Sequence, residues 1–116
     1  MVKIFNVARA DKNDIITEVF KSKAILAGSP TVNKGMLSEL AGILEEIRGL
    51  GFKNKKAAAF GAYGWSGESV RMITERLKEG GFDTVNEGLK LLWNPDVEGI
   101  ATCTAFGRDF ARTVAQ

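Results

Sequence analysis

The sequence contains no histidine and only one cysteine, Cys103. Without histidine, a Ser-His-Asp or Cys-His nucleophile cannot be assembled. His-rich zinc sites and the two-histidine, one-carboxylate iron site are excluded in the same way. A single thiol closes no internal disulfide, which fits a reducing cytoplasm. Any redox chemistry of this chain must therefore be carried by an organic cofactor. No apolar run approaches the roughly 20 residues of a membrane-spanning helix. The start, MVKIFNVARADKND, soon turns polar and offers no small-residue cleavage site, so it does not read as a signal peptide.

Sixteen basic residues face 14 acidic ones, a net charge of +2, with the signs interspersed. The densest basic cluster is Lys53, Lys55 and Lys56. It reads as a solvated turn before a strand; a nucleic-acid surface needs a longer basic stripe with interleaved aromatics. The 116 residues suit one domain, 1–116, and 45% apolar composition suits a packed core.

Strand and helix patterns alternate along the chain. Val2–Ala8 is short, β-branched and apolar, and reads as a strand. Asp11 is a plausible N-cap for a helix over 11–22, with Ile15, Ile16, Val19 and Phe20 on one face. Ala24–Gly28 is an unbroken apolar run, as in a parallel strand buried on both faces. After the loop 29–35, Met36, Leu37, Leu40, Ile43, Leu44 and Ile47 recur at helical spacing, and Gly49 and Gly51 bracket the stop. A third strand over 55–64 runs into a glycine-rich loop. Val70, Ile73 and Leu77 mark the next helix, which begins near Ser66 and stops at Gly80–Gly81. Thr84–Trp93 reads as the last strand. Pro95 and Asp96 open a final helix with Ile100, Cys103, Phe106, Phe110 and Val114 as its apolar face.

The order βαβαβαβα implies a parallel sheet with helices on both faces and right-handed crossovers. Ligands of such open sheets sit beyond the carboxyl ends of the strands. Two loops there hold the chemistry. Ser29-Pro30-Thr31-Val32-Asn33-Lys34-Gly35 offers hydroxyls, an amide and a free backbone before a helix N-terminus, where unpartnered N–H groups favour acceptors. Read alone, it is as well an ordinary strand-to-helix loop with a Ser or Thr cap. Gly61-Ala62-Tyr63-Gly64-Trp65-Ser66-Gly67 places two aromatics among three glycines at a strand exit. That suits a platform for a flat ring, although Trp65 could equally staple the loop to the next helix. Its spacing is not that of the G-x-G-x-x-G dinucleotide fingerprint.

Together, S-P-T-x-N after one strand and G-A-Y-G-W-S-G after the next resemble the flavodoxin-like domain of flavodiiron proteins. K-L-L-W-N-P-D and the helix C-T-A-F-G-R-D-F-A resemble that family's closing segment. The resemblance spans essentially the whole chain. It implies FMN at the strand ends and electron transfer through the flavin. Ser29, Pro30, Thr31, Val32 and Asn33 would then contact the ring and its pyrimidine edge. Gly61, Ala62, Tyr63, Gly64 and Trp65 would flank the isoalloxazine, and Ser66 and Gly67 would complete the wall. The carbonyl facing the flavin N5 is expected between Asn33 and Gly35. Lys34 is a candidate cation beside the reduced ring. The mildly basic net charge leads us to expect a less negative potential than that of an acidic flavodoxin.

Two departures from the family carry further expectations. No histidine means no diiron centre in this chain. The opening strand, the phosphate loop and the first helix of the family have no counterpart before Val2, so Val2–Ala8 matches the family's second strand. One βαβ unit takes about 30 residues or more, and in the 2-1-3-4-5 order the first strand is interior. Weakened or lost FMN binding and self-association into a homo-oligomer follow as expectations, alongside a redox partner protein. The competing reading is a flavin-free assembly or interaction module on the same scaffold. A receiver domain shares the strand order but needs an acidic cluster, which Asp11 and Asp14 alone do not make. Cys103 is expected to be a small buried hydrophobe, Trp93 to pack at a strand end, and Arg71 and Arg76 to be solvated.

Overall fold

A computed structural model of the chain describes residues 2–31, 35–63, 68–92 and 96–115. Its elements are α1 (Lys12–Lys21), β1 (Ala24–Gly28), α2 (Ser38–Leu50), β2 (Lys56–Tyr63), α3 (Glu68–Glu79), β3 (Asp83–Thr84), β4 (Leu89–Leu92) and α4 (Val97–Ala115). Helix starts and stops follow local chemistry. Asp11 Oδ1 accepts the Asn13 N–H at 2.7 Å and caps α1. Gly51 ends α2 at φ 66°, in the left-handed region that glycine enters without a Cβ penalty.

Among the described residues all strand pairings are parallel, and β2 is the centre of the sheet. On one side it pairs with β1, from Ala24↔Lys56 to Gly28↔Phe60. On the other it pairs first with β3, through Lys56↔Asp83 and Ala57↔Thr84, and then with β4, from Phe60↔Leu89 to Tyr63↔Leu92. The strand expected over Thr84–Trp93 is thus two pieces on one edge, with 93–95 outside the described residues. The break lies at Asn86–Gly88. Asn86 Oδ1 accepts the Gly88 N–H at 2.8 Å, and Gly88 has φ 94°. A Cβ on Gly88 would stand 2.5 Å from Val70 Cγ1, so α3 lies directly against this bend.

Alternation along β2 divides its side chains between two faces. Ala57 and Ala59 face α2 and α3, together with Ile25 and Ala27 of β1. Leu40, Ile43, Leu44 and Ile47 of α2 and Val70, Ile73 and Leu77 of α3 close over them. Small alanines on the strand let the helices approach, and each buried Leu or Ile contributes about 1.5–3 kcal/mol relative to exposure. The other face carries Lys56, Ala58 and Phe60. The end of α4 lies there, since Lys56 Nζ donates to the Thr113 carbonyl at 2.8 Å. Phe110 is the residue of α4 that is buried.

Four expectations are corrected. Residues 2–6 form no strand, and Val2 and Ile4 are 85% and 91% exposed. An outermost strand of the 2-1-3-4-5 order has one possible neighbour, and among the described residues no strand stands beside this segment to accept its ladder. Cys103 is exposed rather than buried, and Ile100 on the same helix is 58% exposed. The apolar stripe of α4 is thus exposed at Ile100 and Cys103, half-buried at Phe106 and Val114, and buried at Phe110. Lys55 is not simply solvated: its Nζ donates to the Phe20 carbonyl at 3.0 Å and to that of Ser22, and it lies 5.5 Å from the Phe52 ring centroid. Lys56 is likewise held, by Thr113.

Candidate functional site

Because the strands are parallel and a helix follows each of β1, β2 and β4, the starts of α2, α3 and α4 lie at the carboxyl edge of the sheet. Helix α1 runs down into β1, so its start lies at the same edge. The two loops of interest leave this edge side by side. Ser29 N–H donates to the Phe60 carbonyl at 3.2 Å, and Thr31 N–H donates to the Ala62 carbonyl at 3.0 Å. The ladder between β1 and β2 therefore continues into the loop and fixes Ser29, Pro30 and Thr31 against Gly61, Ala62 and Tyr63.

Hydroxyl groups complete the junction. Ser29 is 4% exposed, and its Oγ donates to the Pro30 carbonyl at 2.7 Å and accepts the Leu37 N–H at 2.9 Å. It thereby links the loop to the residue that opens α2. Thr31 Oγ1 donates to Ser69 Oγ at 3.1 Å, and Ser69 Oγ donates to the Ser29 carbonyl at 3.1 Å. Gly61 makes this closeness possible. A Cβ there would lie 2.4 Å from the Ser29 carbonyl oxygen and 2.8 Å from Ser69 Oγ.

The structure thus brings Ser29, Pro30, Thr31, Gly61, Ala62 and Tyr63 together at one edge. Tyr63 is half-buried at the end of β2, where an aromatic side chain can support a flat ring. Val32, Asn33, Lys34, Gly64, Trp65, Ser66 and Gly67 lie outside the described residues, as does Trp93. Ser69 was not singled out in the sequence. Its signal is its place on the apolar stripe Ser69, Ile73 and Leu77, one helical turn apart, where a serine has no packing reason to stand.

The two ends of a flavin mononucleotide make different demands on these groups. For the ring, the half-buried aromatic and the paired loops fit. For the phosphate, helix N-termini are the usual cradle. Here each of the four helices carries a carboxylate in its first turn: Asp14, Glu39, Glu68 and Glu98. Asp11 Oδ1 and Asp96 Oδ1 already accept the N–H groups of Asn13 and Gly99, at 2.7 and 2.8 Å. Among the described residues, the phosphate finds no fitting cradle.

This arrangement, a parallel sheet with paired loops at its carboxyl edge, defines an α/β domain of the flavodoxin-like class. The family model described as Flavodoxin matches residues 1–107, so the chain belongs to the flavodoxin family. It is 54% identical over 111 residues to the anaerobic nitric oxide reductase flavorubredoxin of Aeromonas hydrophila, covering 96% of this chain and 22% of that protein. With the flavorubredoxin of Klebsiella pneumoniae the identity is 50%, over 96% of this chain and 23% of that protein. The chain thus spans less than a quarter of these relatives. Among solved structures, rubredoxin:oxygen oxidoreductase from Desulfovibrio gigas superposes with a TM-score of 0.93 at 33% identity, covering 99% of this chain and 29% of that one. An archaeal flavodoxin superposes at 0.83 and 29% identity, covering 95% of this chain and 75% of its own. The chain is homologous to the flavodoxin-like region of flavodiiron proteins. Among the described residues, no helix is long and apolar enough to cross a membrane.

Proposed function

We propose that this chain is an electron-transfer domain that works through a flavin of the FMN type held at the carboxyl edge of the sheet. The observation that carries the reading is the hydrogen-bonded junction of 29–31 with 61–63 at the place where open α/β sheets bind ligands. A bound flavin supplies the redox chemistry by accepting and returning electrons. Ser29 acts by position: buried and bonded at both lone pair and proton, it sets the path of Pro30 and Thr31. Tyr63 offers an aromatic wall. Val32, Asn33, Gly64, Trp65, Ser66 and Gly67 enter this reading on sequence alone. The electron donor or acceptor is a separate redox protein on this reading. Whether the flavin serves a larger assembly, as in the nitric oxide reductase flavorubredoxins, is part of the same proposal.

A titration of the purified chain with FMN tests it. Quenching of flavin fluorescence with a defined stoichiometry is the expected result. Unchanged fluorescence up to millimolar chain would refute the reading.

A second reading is favoured by a different observation. On the α4 side of the sheet, Leu26 and Phe60 are 42% and 43% exposed, and the outer edge of β1 has no partner strand among the described residues. Apolar faces and open edges recruit further chains. We propose that this edge mediates association of two copies, which also serves the alternative of a flavin-free assembly module.

A further inference from the structure

The four helix starts converge on one edge of the sheet, and each brings negative charge to it. Asp11 and Asp14 open α1, Glu39 opens α2, Glu68 opens α3, and Asp96 and Glu98 open α4. Of the cations near these starts among the described residues, Lys12 is drawn to Glu46 at 2.6 Å and Arg71 to Glu75 at 3.2 Å, and Arg9 stands exposed two residues before Asp11. The basic last turns, with Lys21, Arg48, Arg76, Lys78 and Arg112, lie at the other ends of the helices. Among the described residues, acids thus outnumber cations at the helix starts of this edge, although the net charge of the chain is +2. The pairing of acids with helix N-termini is locally stabilising. It also uses the positive end of each dipole and leaves little field to attract a second anion.

We propose that this chain selects its flavin by the ring and not by the phosphate, so that it takes riboflavin as readily as FMN. The inference rests on the flavin reading above. The ring end has paired loops and an aromatic wall. The phosphate end would meet carboxylates, and Asp11 and Asp96 already hold the Asn13 and Gly99 N–H groups. A phosphate held by charge-assisted hydrogen bonds would favour FMN by about tenfold or more for each bond. A phosphate that meets only a screened acidic edge changes affinity little, and against FMN.

The experiment compares fluorescence-quenching titrations of riboflavin and FMN with the full chain, at low and at physiological ionic strength. The expected result is quenching of both, with dissociation constants within about threefold and FMN the weaker at low salt. FMN binding tenfold tighter than riboflavin would overturn the inference and leave the flavin reading standing. Quenching of neither would overturn the flavin reading and the inference with it. The variant Asp96→Asn, and Asp11→Asn beside it, removes charge while keeping an efficient N-cap acceptor. Each should strengthen FMN binding at low salt and leave riboflavin unchanged. An equal change for both flavins, or none for FMN, would overturn the electrostatic argument.

Discussion

The Thr31 hydroxyl donates to the Ser69 hydroxyl at 3.1 Å across 38 residues of sequence, and Ser69 passes the bond on to the Ser29 carbonyl at 3.1 Å. Ser69 is 1% exposed, so its hydroxyl has no recourse to water. Ser69→Ala would leave the Ser29 carbonyl without this donor. The expected loss is about 1–3 kcal/mol of unfolding free energy in urea, together with weaker flavin quenching. Ser69→Thr keeps the hydroxyl and should recover part of both. An alanine variant as stable as the parent would show that the network does not hold the loops.

Gly61 is a position where any side chain collides with backbone. The neighbour at 2.4 Å is the Ser29 carbonyl oxygen, which is fixed by the ladder to β2. Gly61→Ala should therefore push the two loops apart, at about 1–3 kcal/mol for an overpacked site. Gly107→Ala is the control, because nothing lies within 4 Å of a Cβ built there and the residue is helical. Thermal melts of the two variants should diverge, with a lower midpoint for Gly61→Ala and an equal or higher one for Gly107→Ala. Equal midpoints would contradict the close approach.

Much of this fold was legible from periodicity. The stripes of α2 and α3 matched buried residues because both helices pack on a complete sheet face. The segment 2–8 misled because its composition is that of a strand, whereas a strand exists only beside a partner. Composition carries no information about the neighbour. The same holds for Cys103 and Ile100, which are apolar in pattern but exposed in the fold. Net charge, in turn, carries no information about where charges sit. The sum is +2, yet the first turn of each described helix is acidic. Ser29 and Thr31 stand out in the sequence as hydroxyls of a strand-exit loop. Their role as a clasp does not, because it depends on Ser69, which only folding brings near.

Lys55 shows how a lysine in a charged cluster can be structural. Its ammonium donates to the Phe20 and Ser22 carbonyls at the end of α1, and Phe20 and Phe52 meet edge to face at 5.9 Å beside it. Carbonyls at a helix C-terminus lack intrahelical donors. Lys55→Met keeps much of the stem and removes the charge, so it should cost about 1–2 kcal/mol in urea unfolding. Lys53 makes no side-chain hydrogen bond or ion pair among the described residues, so Lys53→Met should change stability by less than about 0.5 kcal/mol. Equal effects would mean that the cluster acts only through general charge.

Acid should weaken the fold partly through Glu45. Its carboxylate accepts a hydrogen bond from Arg48 at 2.7 Å, and that bond, with the attraction of the guanidinium, holds its pKa below the ordinary value. Glu18 is lowered in the same sense, chiefly by its hydrogen bond from Lys3 at 3.0 Å. A carboxyl whose folded pKa is depressed stabilises the fold fully above its unfolded pKa, and that stability is lost as pH falls through the folded pKa. Both groups are solvent-exposed, so the contribution is small and screened by salt. Urea midpoints should therefore fall on acidification below the usual carboxylate range, and less steeply at high salt. Glu45→Gln should flatten that slope at low salt while leaving the neutral-pH midpoint little changed. A slope indifferent to the substitution would place the acid sensitivity elsewhere than at this pair.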